Sequence, residues 1–183
     1  MGHSLGGFLA LYVSSKEPKM FSKVIAVDGV PFLGSMQNPN VTPEQAKVMA
    51  DMMRTQTLNM DPDGREPMQR QIISTMVTDP KNQETAVQWG LKSDTKTVAQ
   101  AMYDLYTIDL RKDIAKIEAP ILVLGAWVAY KTWGATKESS QKMYDLQYAN
   151  AKNAKVVLSD IGKHFIMWDD PDFYFKQISA FVY

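Results

Sequence analysis

Three short apolar runs constrain the fold of this 183-residue chain most strongly. They are rich in leucine or β-branched residues and cover Val24–Val27, Ile121–Leu124 and Lys155–Leu158, the last apolar after its first residue. A strand that is covered on both faces gives such a run, whereas a half-exposed strand alternates apolar and polar residues. Helical patterns separate or follow the runs, over residues 5–16 and 137–150 and after Asp170. The sequence therefore predicts an α/β fold, with a short parallel sheet flanked by helices.

Residues 32–118 interrupt this alternation with helical patterns only. Thr42-Pro43-Glu44-Gln45 has the pattern of a capping box with proline at the first helical position, so a helix should run from there to about Thr55. Asp79-Pro80 predicts a second helix through Trp89 that stops at Gly90, and a third should begin after Ser93 or Asp94. We expect a core formed by residues 1–31 and 119–183, with a helical cap or lid inserted between them.

The inserted segment is rich in methionine. It contains eight of the twelve methionines of the chain. These side chains either fill a small helical core or give a lid a deformable face that contacts apolar ligands.

Composition excludes several classes of function. Twenty basic side chains balance twenty acidic ones, so no net field favours nucleic acid or an anionic membrane. The chain has no cysteine, which excludes a disulfide framework, a thiolate nucleophile and cysteine-ligated zinc. No apolar run approaches the roughly 20 residues that span a bilayer, and no signal-peptide pattern is visible at the first residues. Compartment stays unassigned; a natural start at residue 1 would favour the cytoplasm.

The motif with the clearest chemistry is Gly2-His3-Ser4-Leu5-Gly6-Gly7, which matches Gly-x-Ser-x-Gly and leads directly into a helical pattern. In such a turn a serine is exposed between a strand and a helix, and we expect side chains at Gly2 and Gly6 to collide with their neighbours. The helix N-terminus stabilises negative charge, and the N–H of Leu5 would form half of an oxyanion hole. Glycine–serine clusters in ordinary turns are the alternative.

A serine nucleophile needs a base, and the chain has two histidines. His164 lies between the third apolar run and the last helix, which is where an architecture of this kind delivers its histidine. We predict that His164 is the base, with a surface histidine as the alternative. His3 lies within the turn itself and is expected to be a packing or hydrogen-bonding residue rather than a second base.

The chain resembles the α/β-hydrolase fold superfamily, in particular its lid-bearing esterase and lipase-like serine hydrolases. The resemblance rests on GHSLGG (2–7), KVIAVDGVPF (23–32), APILVLGAW (119–127) and GKHFIMWDDPDFYFKQI (162–178). It covers essentially the whole chain. It implies a serine hydrolase that needs no cofactor or metal and cleaves small to medium carboxylic esters through an acyl-enzyme.

The resemblance leaves the acid of the triad open. Many members carry it after the penultimate strand, but here Gly125–Tyr130 follow that strand and the next carboxylate is Glu138. A minority carry it one strand earlier, which corresponds to Asp28. We therefore favour Asp28 as the residue that orients His164, although Asp28-Gly29 is also a common turn pair. Asp160 is the second candidate, but its closeness to His164 in sequence also suits a residue that only shapes the loop.

Four aromatic residues flank the predicted carboxyl ends of the strands, where ligands bind in open α/β sheets: Trp127, Tyr130, Trp133 and Trp168. They are candidates for substrate binding, and packing is equally compatible with each one.

Members of the superfamily have further strands before the serine turn and a loop that donates the second oxyanion N–H. We expect the strand that leads into Ser4 to be absent, so the chain is a truncated form, one fragment of a split protein or a short variant. An uncovered sheet edge promotes aggregation, so a second copy of the chain or a missing N-terminal fragment should cover it. The alternatives to an esterase are an amide or carbon–carbon bond hydrolase, a perhydrolase, and a weakly active or inactive dimerisation or binding module.

Overall fold

The computed structural model describes all residues, 1–183, and its centre is a parallel sheet of four strands. The strands are β1 (Gly2–His3), β2 (Val24–Val27), β3 (Ile121–Gly125) and β4 (Ala154–Leu158). They lie in the order β1-β2-β3-β4, and each neighbouring pair is parallel. The three predicted strands are confirmed. The expected absence of a strand before Ser4 is wrong, because Gly2 and His3 pair with Ala26 and Val27.

Eight α-helices surround the sheet, and the predicted ones are present. They are α1 (Leu5–Lys16), α2 (Pro43–Leu58), α3 (Pro62–Met76), α4 (Pro80–Lys92), α5 (Thr95–Thr107), α6 (Lys137–Gln147), α7 (Ile166–Asp169) and α8 (Pro171–Val182). Short 3₁₀ segments cover Leu33–Ser35, Asp113–Lys116 and Val128–Trp133. Capping boxes begin α2 at Thr42 and α6 at Thr136, while the side chains of Asp79 and Asp94 cap α4 and α5. These caps satisfy N–H groups that a helix leaves unpaired in its first turn.

The helical segment 32–118 differs from the prediction at two places. It contains an additional helix, α3, despite an internal Pro67. Helix α4 also continues past Gly90 to Lys92. A side chain at Gly90 would bring its Cβ within 2.2 Å of the Gln69 amide on α3, so this glycine permits close contact between two helices instead of ending one.

The sheet separates two apolar cores, because successive side chains of a strand point to opposite faces. On one face Val24, Ile121 and Val123 pack against residues of α1, α5 and α6. On the other, Ile25, Val27, Leu122 and Leu124 pack against α7 and α8. β2 and β3 are buried throughout, whereas the edge strand β4 is only partly buried, contrary to the expected cover on both of its faces.

The segment 32–118 contains helices and loops but no strand, and it packs on the rest of the chain at two places. Leu105 of α5 joins the core beneath the sheet, and so do Leu110 and Ile114 from the following segment. A smaller apolar cluster between α3 and α4 is contacted by Phe165 and Trp168, which follow His164. The division into a core and a lid stays a prediction.

Some methionines of this segment pack into the apolar cores and others are exposed, and the interpretation of a lid face that contacts ligands stays a prediction. Met36 and Met102 pack against the main core and Met76 against the smaller cluster. Met49 and Met52 of α2 are exposed.

No helix in the chain combines the length and the apolar character that crossing a membrane requires.

Candidate active site

Ser4 lies between β1 and α1 in a backbone conformation that residues other than glycine rarely adopt, with φ 53° and ψ −117°. Its N–H donates to the carbonyl oxygen of Val27 at 2.8 Å, which fixes the turn against the neighbouring strand. The Ser4 side chain does not cap α1, so the hydroxyl is not committed to the helix that follows.

Close backbone approach explains part of the glycine pattern around Ser4. A Cβ at Gly2 would lie 2.0 Å from the carbonyl oxygen of Gly6, and that backbone cannot move without opening the turn. Gly6 itself faces open space, so the expected collision at Gly6 is wrong. Gly7 and Gly29 face each other across α1 and the end of β2, where a Cβ on Gly29 would lie 3.0 Å from the Gly7 Cα.

Asp28 lies beside Ser4 because the two residues follow neighbouring parallel strands in register. His3 and Val27 pair at the ends of β1 and β2, so Ser4 and Asp28 are the residues that directly follow the two strands. Asp28 also has a positive φ of 45°, and these two are the chain's only non-glycine residues with positive φ. Unfavourable backbone conformations concentrate at functional sites, where the surrounding structure holds them.

The carboxylate of Asp28 contacts the imidazole of His164. Asp28 Oδ2 and His164 Nδ1 are 2.5 Å apart, and the side chains are 6% and 17% exposed, respectively. The second acid candidate, Asp160, instead pairs with Lys137 at 2.5 Å and is 75% exposed. Of the two aspartates, the fold therefore brings Asp28 to His164.

His3 holds the backbone of His164. The Nε2 of His3 lies 2.9 Å from the His164 carbonyl oxygen, and a carbonyl only accepts, so Nε2 carries the hydrogen. Burial, followed by repulsion from His164, lowers the pKa of His3 to about 4. His3 is therefore neutral near pH 7, and its contact is of the hydrogen-bonding kind expected for it.

The loop around His164 is also held by the helical segment. The N–H of Phe165 donates to the Met76 carbonyl at 3.3 Å. The carboxylate of Asp169 accepts from the N–H groups of Lys163 and Thr78, at 3.1 and 3.0 Å. The end of α3 thus contributes directly to the position of the histidine loop, a role that the sequence did not reveal.

The N-terminus of α1 provides a donor for negative charge. Leu5 is the first residue of α1, so its N–H has no acceptor within the helix. This places a free N–H next to Ser4 in the chain, at the positive end of the helix dipole. No group of three or more histidine and carboxylate side chains comes together in the way that a metal centre requires.

Two residues that the sequence analysis did not assign to the site also bind the Asp28 carboxylate. The Tyr144 hydroxyl and the N–H of Ala126 both donate to Asp28 Oδ1, the latter at 3.1 Å. The helical spacing of α6 could have pointed to Tyr144: its buried face carries Ser140, Tyr144 and Gln147 and continues to Tyr148, whereas Leu146 is exposed.

The four aromatic candidates for substrate binding do not form one wall. Trp127 packs against the main core, and Trp168 stacks on Phe165 with ring centres 4.7 Å apart. Trp133 is 69% exposed. Tyr130 is 40% exposed, and its ring centre lies 6.1 Å from that of Trp133.

Comparisons with known proteins relate the chain to others through structure alone. No protein-family model matches the sequence, and no curated protein matches it. Solved structures that resemble it include MenH from S. aureus, with a TM-score of 0.71 and 20% identity. A hydrolase from Pseudomonas aeruginosa gives a TM-score of 0.74 at 15% identity, and an esterase from Exiguobacterium antarcticum gives 0.70 at 18%.

The matches include nearly all of this chain but only part of each similar protein. They cover 99% of this chain and 66%, 63% and 65% of those three proteins, respectively. The resemblance therefore extends over the sheet, the serine turn and the helical segment together. The sheet topology and these similarities show that the chain adopts part of the α/β-hydrolase fold.

Proposed function

We propose that the chain is a serine hydrolase, with Ser4 as nucleophile, His164 as general base and Asp28 as the acid that orients the base. The observation that carries the proposal is the 2.5 Å contact between Asp28 and His164, with a serine held at positive φ directly after the neighbouring strand. His164 uses its Nδ1 for the contact with Asp28 and its backbone carbonyl oxygen for the hydrogen bond from His3. Its Nε2 is therefore available to Ser4.

In the proposed reaction, His164 Nε2 takes the hydroxyl proton of Ser4 as Oγ attacks the carbonyl carbon of an ester. The N–H of Leu5 donates to the resulting oxyanion. The imidazolium then protonates the alcohol oxygen, which leaves as the carbon–oxygen bond breaks and the acyl group remains on Ser4. Water, deprotonated by His164, attacks the acyl-enzyme and releases the carboxylic acid and free Ser4. Asp28 stabilises the imidazolium in both steps.

The proposed substrates are small to medium carboxylic esters. The similar structures include an esterase from Exiguobacterium antarcticum and an enol-lactonase from Burkholderia xenovorans, and a lactone is a cyclic ester. Transfer of that activity to this chain is analogy on a shared fold. A panel of matched esters and amides would separate ester from amide hydrolysis.

The oxyanion hole needs a second donor, and we propose that it comes from outside this chain. Leu5 supplies one N–H, and β1, the two-residue edge strand, leaves one side of the sheet unpaired. A second copy of the chain or an N-terminal fragment pairing there would cover the edge and could carry the other donor. Losing one donor costs about 10²–10³ in turnover, so the chain alone would act slowly on activated esters.

Labelling with a fluorophosphonate tests the proposal directly. The wild-type chain should gain one adduct per molecule by intact mass, and Ser4→Ala should gain none. The reagent reports an activated serine hydroxyl without requiring the natural ester. A folded wild-type chain that stays unlabelled would contradict the proposal and favour a binding or dimerisation module.

A further inference from the structure

The two oxygens of the Asp28 carboxylate have different partners. Oδ2 faces His164 Nδ1 at 2.5 Å. Oδ1 accepts from the hydroxyl of Tyr144 and from the Ala126 N–H. A carboxylate can rotate about its Cβ–Cγ bond, so the donors on one oxygen determine where the other one points.

Tyr144 is a buried residue whose hydroxyl donates a hydrogen bond to Asp28. Its side chain is among the largest fully buried ones, and the residue is 2% exposed. Burial, followed by the negative charge of Asp28, raises the pKa of the Tyr144 phenol well above its usual value. The phenol therefore stays protonated and donates a hydrogen bond to Oδ1.

The backbone of β3 makes room for this ring. A Cβ at Gly125 would lie 2.7 Å from the Tyr144 ring, so a side chain at this position would displace the phenol. Ala126, the next residue, donates its N–H to the same carboxylate oxygen and lies 3.4 Å from the Tyr144 hydroxyl. Residues from β3 and α6 thus meet on one oxygen of Asp28.

One turn further along the chain, a second tyrosine fixes the backbone after Asp28. The Tyr148 hydroxyl donates to the carbonyl oxygen of Gly29 at 2.7 Å, and Tyr148 is 3% exposed. Residues four apart lie on the same face of a helix, so the two hydroxyls reach neighbouring parts of one turn. Tyr148 contacts the backbone of that turn, and Tyr144 contacts the carboxylate.

We propose that Tyr144 is a positioning residue of the triad, whose hydroxyl holds Asp28 Oδ1 so that Oδ2 stays directed at His164 Nδ1. The inference rests on the proposed function, since it assigns a role within the same site. Tyr144 acts through Asp28 and makes no hydrogen bond to Ser4.

The test compares Tyr144→Phe with Tyr148→Phe as a matched control. Each variant removes one buried hydroxyl from the same face and retains the ring. Tyr144→Phe should lower kcat for an activated ester by about 10- to 100-fold, the range of one hydrogen bond to a charged group, with KM nearly unchanged. Without the phenol, negative charge concentrates on Oδ2 and the carboxylate itself becomes more basic. Both effects move the acid limb of the kcat/KM profile to higher pH, and Tyr148→Phe should not move it.

A second readout does not depend on turnover. The Nδ1 proton of His164 should give a downfield NMR resonance, and a His3→Gln variant separates it from that of the other histidine. Tyr144→Phe should shift this resonance, and Tyr148→Phe should leave it in place. Equal pH profiles and equal resonances in both variants would overturn the role of Tyr144, even if the wild-type chain labels at Ser4. An unlabelled wild type would instead overturn the proposed function, while the resonance would still decide whether Tyr144 controls the contact between Asp28 and His164.

Discussion

Replacing Asp28 with asparagine should abolish most of the proposed activity through the tautomer of His164. Three donors converge on the carboxylate: the His164 Nδ1–H, the Tyr144 hydroxyl and the Ala126 N–H. An amide offers one oxygen and one NH₂ group, so it cannot accept from both sides. With its oxygen towards Tyr144 and Ala126, its NH₂ faces His164 at the present 2.5 Å contact.

That orientation should prevail, because the opposite one places the NH₂ against two donors. His164 Nδ1 must then accept, and the ring proton moves to Nε2, which can no longer take the proton of Ser4. The same substitution in an established serine triad lowers turnover by about 10⁴-fold, and we expect a loss of that order in kcat/KM here. At about 1.36 kcal/mol for each factor of ten, the loss corresponds to about 5.4 kcal/mol of transition-state stabilisation.

Initial rates on an activated ester and the rate of fluorophosphonate labelling measure this effect, with circular dichroism to show that the variant is folded. Asp160→Asn is the matched control, because Asp160 is largely exposed and pairs with Lys137, away from His164. Its activity should stay within about threefold of the wild type, as expected for an exposed ion pair. A folded Asp28→Asn variant that keeps its rate within tenfold would refute the reasoning.

Two further predictions concern stability. Gly2→Ala places a Cβ 2.0 Å from the Gly6 carbonyl oxygen and should lower the free energy of unfolding by about 3 kcal/mol, the upper end of the usual cost of overpacking. Gly6→Ala faces open space within a helix and should be neutral or stabilising in thermal unfolding. Similar melting temperatures for the two variants would contradict this. The pKa of His3 falls from 6.5 to about 4 on folding, so the unfolded chain binds more protons between those values and stability should decrease as the pH falls through this range. The contribution is at most about 3 kcal/mol, and urea titrations of His3→Gln should show a weaker decrease; an equal decrease would exclude His3 as the source.

Local sequence patterns predicted most elements of the fold, because their causes are local. The apolar runs at β2 and β3 reflect burial on both faces of the sheet, and the caps at Thr42 and Thr136 satisfy the first turns of their own helices. The patterns failed where a distant contact decides the outcome. The pattern around Gly90 predicts a helix end, but α4 continues through Gly90, and Gln69 of α3 packs against this glycine.

The sequence by itself pointed to the residues that the proposed chemistry needs: Ser4 in a glycine-rich turn before a helix and His164 before the last helix, with no cysteine as an alternative nucleophile. Only the tertiary structure decided which acid meets His164, since strand register places Asp28 beside Ser4, while Lys137 holds Asp160 at the surface. It also revealed Tyr144, whose partner is 116 residues away in the chain. The physical reason is that glycine patterns and caps act over one helical turn, whereas a buried carboxylate gains its donors from whichever strands and helices pack around it.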